Sequence, residues 1–129
     1  DFKKGYQEAA RLSETDMGNL MEKVVKIDGQ ELKLAVNGGT PRLYRSLFRK
    51  DLFQGMNNAV DENGDIKDSE IFENLAFVMA IQGGSLPMGA KIDDWLNAMS
   101  NPMAIMEAAP DILDLWLATN EKTSTAKKE

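Results

Sequence analysis

The sequence predicts an α+β fold in which an N-terminal β-hairpin is followed by a mainly α bundle of about four helices. Two observations predict it: apolar residues alternate on both sides of Asp28-Gly29, and apolar residues recur at helical spacing through most of the chain after residue 40. The predicted organisation is a leader over 1–22, either a short helix or flexible, a single compact domain over 23–118 and a flexible tail over 119–129.

The hairpin is predicted over residues 23–36. Asp28 and Gly29 are residue types that accept positive φ, which a two-residue type I′ turn requires. This turn sets Ile27 opposite Gln30 and fixes the register of every other pair. The apolar residues of the two strands then share one face: Val25, Ile27, Leu32, Leu34 and Val36.

One helix is predicted over residues 40–60, directly after the Gly38-Gly39 turn. Thr40 is the candidate N-cap, and Pro41 suits the first helical position, where a backbone N–H is not required. Apolar residues near a 3.6-residue period should pack this helix against the core through one stripe: Leu43, Leu47, Phe48, Leu52 and Met56.

A buried central helix is predicted over residues 68–84, because this segment is apolar nearly all round. Asp68 is its candidate N-cap, and Gly83-Gly84 ends it.

The segment 91–120 predicts two or three short helices. Asp93 or Asp94 is the candidate cap of the first, and Pro110 stops or kinks the second, because an interior Pro removes a helical hydrogen bond. One apolar stripe follows the proline: Ile112, Leu113, Trp116 and Leu117.

The composition argues against several classes of function. Basic residues number 15 and acidic residues 21, and the net charge of −6 argues against general nucleic-acid binding, which requires a basic face. The chain has no Cys and no His, which removes disulfides, thiolate zinc sites, Cys nucleophiles and His bases. No apolar run approaches a membrane span and no signal-peptide pattern opens the chain, so a soluble intracellular protein is expected.

The stretch 61–72 begins like a calcium-binding loop, with oxygen ligands at alternate positions: Asp61, Asn63 and Asp65. Its second half departs from that pattern, since Ile66 stands where Gly is required and Phe72 where the bidentate Glu is required. A tight turn over 62–65 explains the same residues without a metal.

Catalytic chemistry has few candidates in this chain. Asp93 and Asp94 are adjacent acids, but neighbours on a helix point about 100° apart and do not share one site. The sequence contains neither a phosphate-binding Gly-rich loop nor a nucleophile elbow. The sequence therefore predicts a binding or assembly protein rather than an enzyme, with no catalytic residue, no metal site and no cofactor.

Two sets of residues form the candidate partner-binding surface. Arg42, Arg45 and Arg49 line a helix face that no acidic residue interrupts, which suits an acidic partner; a solvated helix face is the alternative. Met and Trp residues of the C-terminal helices supply pliable apolar anchors, with plain core packing as the alternative. The predicted anchors are Trp95, Met99, Met103, Met106 and Trp116.

The order and spacing of several strings resemble those of tail assembly chaperones from long-tailed phages and prophages of Gram-positive bacteria. A short hairpin ends in "LAVNGGTPRLYRSLFRKDL" and is followed by an acidic turn, "FENLAFVMA", "DDWLNAM", "PMAIMEAAPDILDLW" and a Thr/Ser/Lys tail. The resemblance extends from Lys23 to Glu129 and leaves out the residues before it. None of these strings is a catalytic signature.

The resemblance implies a non-enzymatic chaperone that coats the long helical tape measure protein, keeps it soluble and helps to recruit tail tube subunits. It also implies action in the cytoplasm of the infected or lysogenic host and absence from the mature virion. Self-association is compatible with such a role, whereas neither nucleic acid nor a membrane is an expected partner.

Many such chaperones are made in two lengths by ribosomal frameshifting. The ending "STAKKE" suits this hypothesis because Lys-Lys codons can form an A-run. An RNA sequence without a heptameric slip site there would contradict it.

The alternative function is a small regulatory or adaptor protein-binding domain, in one version a calcium-binding one that uses residues 61–72. Heat at a 1:1 stoichiometry in a calcium titration would favour that alternative.

Overall fold

A computed structural model describes the chain from residue 21 to residue 128, and its side chains from residue 21 to residue 118. The predicted leader over 1–22 lies outside the described residues except for its last two positions, Met21 and Glu22, which belong to the first strand. Within the described part, the predicted α+β class is confirmed. The elements in chain order are β1 (Met21–Ile27), β2 (Gln30–Val36), α1 (Thr40–Phe48), α2 (Leu52–Ala59), α3 (Ser69–Gln82), α4 (Ile92–Asn97) and α5 (Ala104–Lys128).

The predicted hairpin register is confirmed. Asp28 and Gly29 have φ values of 55° and 82°, and Ile27 pairs with Gln30 across the antiparallel ladder. Leu32 is half-buried, whereas the other four residues of the predicted apolar face are buried: Val25, Ile27, Leu34 and Val36. Helix α3 packs against β2 and α5 packs against β1, so these two helices form the core with the hairpin.

The turn of the hairpin is tied to the segment before α5. The Asp28 carboxylate accepts hydrogen bonds from the backbone N–H groups of Ser100 and Asn101, each at 3.0 Å. Asp28 therefore contributes both the positive φ of the turn and a contact between residues far apart in the sequence.

The prediction of one helix over 40–60 is wrong, because the segment forms two helices, α1 and α2. Arg49 adopts a left-handed conformation with φ 59° and ends α1, and the Asp51 side chain caps α2. After this change of direction Leu52 and Met56 lie in the core, 1% and 7% exposed.

The predicted role of Thr40 as an N-cap is also wrong. Gly39 is the N-cap, and Thr40 is the first residue of α1. The buried Thr40 hydroxyl accepts from the Asn37 N–H at 2.9 Å and donates to the Gln82 Oε1 at 2.6 Å, so it joins α1 to the end of α3. Leu47, predicted to face the core, is 40% exposed.

Helix α3 is the buried central helix that the sequence predicts. Asp68 caps it by accepting from the Glu70 N–H at 3.0 Å, and Gly83 is its C-cap. Gly83 lies directly against the backbone of Lys33 in β2. The Ser85 hydroxyl then accepts from the Lys33 N–H at 2.8 Å and donates to the Lys33 carbonyl at 2.9 Å, which fixes this loop along the outer edge of β2.

The C-terminal helices differ from the prediction. Helix α4 has Lys91 as its N-cap, and Asp93 and Asp94 lie inside its first turn without capping it, where their charges suit the helix dipole. Helix α5 is continuous past Pro110 and runs from Ala104 to Lys128. Burial of apolar residues on both sides of the proline accounts for the continuity, because tertiary packing outweighs one lost hydrogen bond.

Candidate functional site

Helix α5 has two apolar faces, and only one of them packs in the core. The buried face consists of Ala104, Ile105, Ala108, Ala109, Ile112, Leu115 and Trp116. The second face, which we name the α5 stripe, begins in the turn before the helix and consists of Met103, Met106, Pro110, Leu113 and Leu117. At 100° per residue, the members of the α5 stripe fall within about 80° of one another and roughly opposite the buried face. Among the described residues the α5 stripe is therefore only partly covered: Met103, Pro110 and Leu117 are exposed, whereas Met106 and Leu113 are half-buried and Leu113 also packs against the edge of the core.

The α5 stripe is long and regular. Met103 and Leu117, at its two ends, are 54% and 50% exposed. Its members follow one another at alternating intervals of three and four residues, the spacing of the a and d positions of a coiled coil. At 1.5 Å per residue it extends for about 21 Å, or about four helical turns. Such a face matches one apolar side of a second helix.

Acidic residues border the α5 stripe on one side. Glu107, Asp111 and Asp114 are exposed and occupy the next sector of the helix. Asp111 forms an ion pair with Lys23 of β1, with 3.1 Å between the Lys23 Nζ and a carboxylate oxygen, and Glu107 accepts from the Asn101 side chain at 3.1 Å. This border favours a partner helix that carries basic residues beside its apolar face.

The structure separates the five predicted apolar anchors. Met103 and Met106 lie in the α5 stripe. Trp95 is half-buried with its ring 5.7 Å from that of Phe77, and Met99 packs partly against the core. Trp116 is 5% exposed, so its indole belongs to the core of the chain.

Leu113 and Leu117 are the stripe residues that sequence reasoning did not single out as anchors. Their three- and four-residue spacing from Met106 is visible in the sequence, but it crosses Pro110. Because the proline is predicted to interrupt the helix, the pattern on its two sides is not read as one face.

The three predicted basic contacts lie on the surface. Arg42, Arg45 and Arg49 are exposed, and the Arg49 N–H donates to the Arg45 carbonyl at 2.7 Å, which closes the last turn of α1. No ion pair neutralises them within the described part of the chain. Helix α1 packs against α2 and α3, so this basic face and the α5 stripe belong to different helices.

A small cleft holds the carboxyl group of Glu73, whose pKa is raised. It measures about 250 Å³ and is lined by residues that include Phe48, Lys50, Glu70, Glu73 and Asp93. Burial raises the pKa of Glu73, and the neighbouring charges of Glu70 and Asp68 raise it further. Among the described residues no hydrogen bond or ion pair joins the Glu73 carboxyl to another side chain, so its raised pKa does not by itself define a reaction.

The acidic loop forms the tight turn that the sequence predicts. The Asp61 carboxylate accepts from the N–H groups of Asn63 and Asp65, at 2.9 and 2.8 Å, and Gly64 has φ 87°. A bridge between Val60 and Ile66 closes the turn. The described residues include no group of three or more acidic side chains that could hold a metal ion.

Comparison with known proteins adds no family to these observations. A scan against protein-family models, a search of curated proteins and a search of solved structures each found no match to this chain. In the described part, no helix has the length and apolar character needed to cross a membrane.

Proposed function

We propose that this chain is a tail assembly chaperone of a long-tailed phage or prophage of Gram-positive bacteria. It binds the tape measure protein without performing catalysis, keeps that protein soluble and helps to recruit tail tube subunits. It acts in the cytoplasm of the infected or lysogenic host and is absent from the mature virion. The resemblance of its motifs, in order and spacing, supports this role.

The α5 stripe is the observation that carries the proposal. A tape measure protein is long and helical with apolar stripes, and in water such a helix requires an apolar face to cover each stripe. The α5 stripe offers a face of matching period, and Met side chains adapt to partners of varied shape. Its acidic border selects client segments with flanking basic residues, which limits binding to other apolar surfaces.

The α5 stripe also matches a client that presents many similar segments. Five apolar side chains over about 21 Å bind one segment of about four helical turns. A long helix therefore requires several copies of the chaperone to cover it. Weak individual contacts suit this role, because the chaperone has to leave as the tail tube assembles around the tape measure protein.

Co-expression with the tape measure protein of the same genome tests the proposal. The mass of the complex is measured by size-exclusion chromatography with light scattering. We expect a soluble complex with many chaperone copies per tape measure chain. A lone chaperone peak with the tape measure protein left insoluble would contradict the proposal and favour the adaptor alternative.

A matched pair of variants locates the binding face. Leu117→Gln places a polar group in the α5 stripe, and Leu47→Gln makes the same change on α1, where the leucine is also exposed. We expect Leu117→Gln to lower the number of bound copies and Leu47→Gln to leave it unchanged. Equal effects of the two variants would remove the α5 stripe from the proposal.

The basic face of α1 is tested separately. Replacing Arg42, Arg45 and Arg49 together by Glu reverses its charge without entering the core, since all three are exposed. Unchanged binding of the tape measure protein would show that these arginines are not a contact.

Calorimetry with calcium on the chain alone then tests the adaptor alternative, which predicts heat at a 1:1 stoichiometry.

A further inference from the structure

The two edges of the hairpin differ in what covers them. In a hairpin closed by a two-residue turn, the residues that flank the turn, here Ile27 and Gln30, exchange hydrogen bonds. From there along the ladder, pairs that exchange hydrogen bonds alternate with pairs that do not. Val24 and Lys33 consequently form a pair whose backbone groups point away from each other. The two Lys33 hydrogen bonds to the Ser85 hydroxyl agree with this alternation and occupy the outer edge of β2 at that position.

The outer edge of β1 has no corresponding partner among the described residues. By the same alternation, Glu22, Val24 and Lys26 direct their N–H and C=O groups to that edge, which we name the β1 edge. Strand β1 pairs with β2 alone, and no loop hydrogen bond reaches the β1 edge in the described part. The Val24 side chain is 60% exposed beside it. An open edge with an exposed β-branched residue is a template for another strand.

We propose that the β1 edge pairs with the β1 edge of a second copy of this chain, in antiparallel orientation and with Val24 opposite Val24. Each of the three positions in the β1 edge then lies in a hydrogen-bonded pair, which gives roughly six backbone hydrogen bonds across a two-fold axis. The two hairpins join into a four-stranded sheet, and the two Val24 side chains cover each other at its centre.

Charge fixes both the occupant and the register. With Val24 on the two-fold axis, Glu22 of each copy faces Lys26 of the other. Within each hairpin, Lys26 is itself opposite Glu31, and Glu22 also forms an ion pair with Lys33 of the same copy, with 3.8 Å between the Lys33 Nζ and the Glu22 Oε1. Moving the axis to Glu22 or to Lys26 would place identical charges opposite each other, which destabilises a strand pair. The order Glu-x-Val-x-Lys is therefore complementary to its own antiparallel copy.

This pairing is independent of the proposed function, since it uses backbone groups of β1 and not the α5 stripe. It is tested on the full chain alone, without the tape measure protein. Light scattering over a range of concentrations is expected to give a mass of twice 14.3 kDa that falls toward the monomer on dilution. A monomer at every concentration, as would follow if residues 1–20 occupied the β1 edge of their own chain, would overturn the inference.

Val24→Pro provides the decisive variant, because it removes the N–H that points to the β1 edge and leaves the hydrogen bonds to β2 intact. We expect it to raise the dissociation constant of the dimer at least about tenfold, since two of the hydrogen bonds are lost. Val24→Thr keeps the N–H and the branched shape and should preserve the dimer. A dimer that persists in Val24→Pro would place the interface elsewhere.

Amide hydrogen exchange gives a second readout that does not depend on a variant. In the proposed dimer, protection of the Val24 N–H rises with protein concentration, whereas protection of the Val25 N–H, which faces β2, changes little. Concentration-independent exchange at Val24 would overturn the inference even where a dimer forms through another surface.

Discussion

The contact between Gly83 and β2 makes a quantitative prediction for Gly83→Ala. A methyl group at Gly83 would lie 2.8 Å from the carbonyl carbon of Lys33 and nearer still to its oxygen, so the end of α3 and β2 have to separate. Gly83 has φ −84° and ψ −2°, right-handed values that are sterically allowed for alanine as well. Any loss of stability therefore comes from the overlap with β2 and not from the backbone conformation.

The magnitude follows from three contributions. Inserting one carbon into a packed contact costs about 1–3 kcal/mol. Separation of the α3 end from β2 also weakens the two hydrogen bonds between Ser85 and Lys33, which contribute about 1 kcal/mol each. Alanine also lowers the conformational entropy of the unfolded chain, which offsets about 0.4–1 kcal/mol of the loss in stability. We expect Gly83→Ala to lower the free energy of unfolding by about 2–3 kcal/mol, which corresponds to roughly 10 °C in Tm for a chain of this length.

Urea unfolding followed by Trp fluorescence measures this change, since Trp95 and Trp116 both contact the core cluster. Gly89→Ala is the matched control, because a methyl group there meets no atom within 4 Å. It should stay within about 0.5 kcal/mol of the parent chain. If Gly83→Ala matched Gly89→Ala, the close approach of α3 to β2 would be refuted.

Three further predictions concern polar groups. Asp28→Gly keeps the positive φ of the turn but removes two hydrogen bonds to the segment before α5, and should lower the free energy of unfolding by about 2 kcal/mol; a loss no larger than that of Asp28→Asn would contradict this. Thr40→Val keeps the shape of a buried residue but leaves two polar partners unsatisfied, and should cost about 2 kcal/mol in urea unfolding, whereas Thr40→Ser should cost less. Burial raises the pKa of Glu73, so folding binds a proton there and stability falls as pH rises from the ordinary carboxyl range through the raised pKa. Glu73→Gln should therefore raise Tm at neutral pH and lose this advantage in acid, and a pH-independent difference in Tm would refute that reasoning.

Part of the candidate surface is readable from the sequence. Met103 and Met106 are predicted as apolar anchors, and they lie in the α5 stripe. The same reasoning selects Trp116, which the structure places in the core. Composition cannot separate the two outcomes, because both faces of α5 are apolar. Only the direction from which β1 and α3 approach the helix decides which face remains exposed.

The sequence by itself determines the hairpin with its register and the buried helix α3. Turn chemistry at Asp28-Gly29, strand alternation and the capping residue Asp68 act over a few neighbouring residues, so they leave a complete local pattern. The break of the predicted helix at Arg49 and the continuation of α5 past Pro110 were decided by the tertiary structure. At Arg49 the chain adopts a left-handed conformation and Leu52 after it is buried in the core, and at Pro110 the helix continues without one hydrogen bond because apolar residues on both sides of the proline are buried. Each outcome is set by the energy of burial against residues distant in the sequence, which local patterns do not contain.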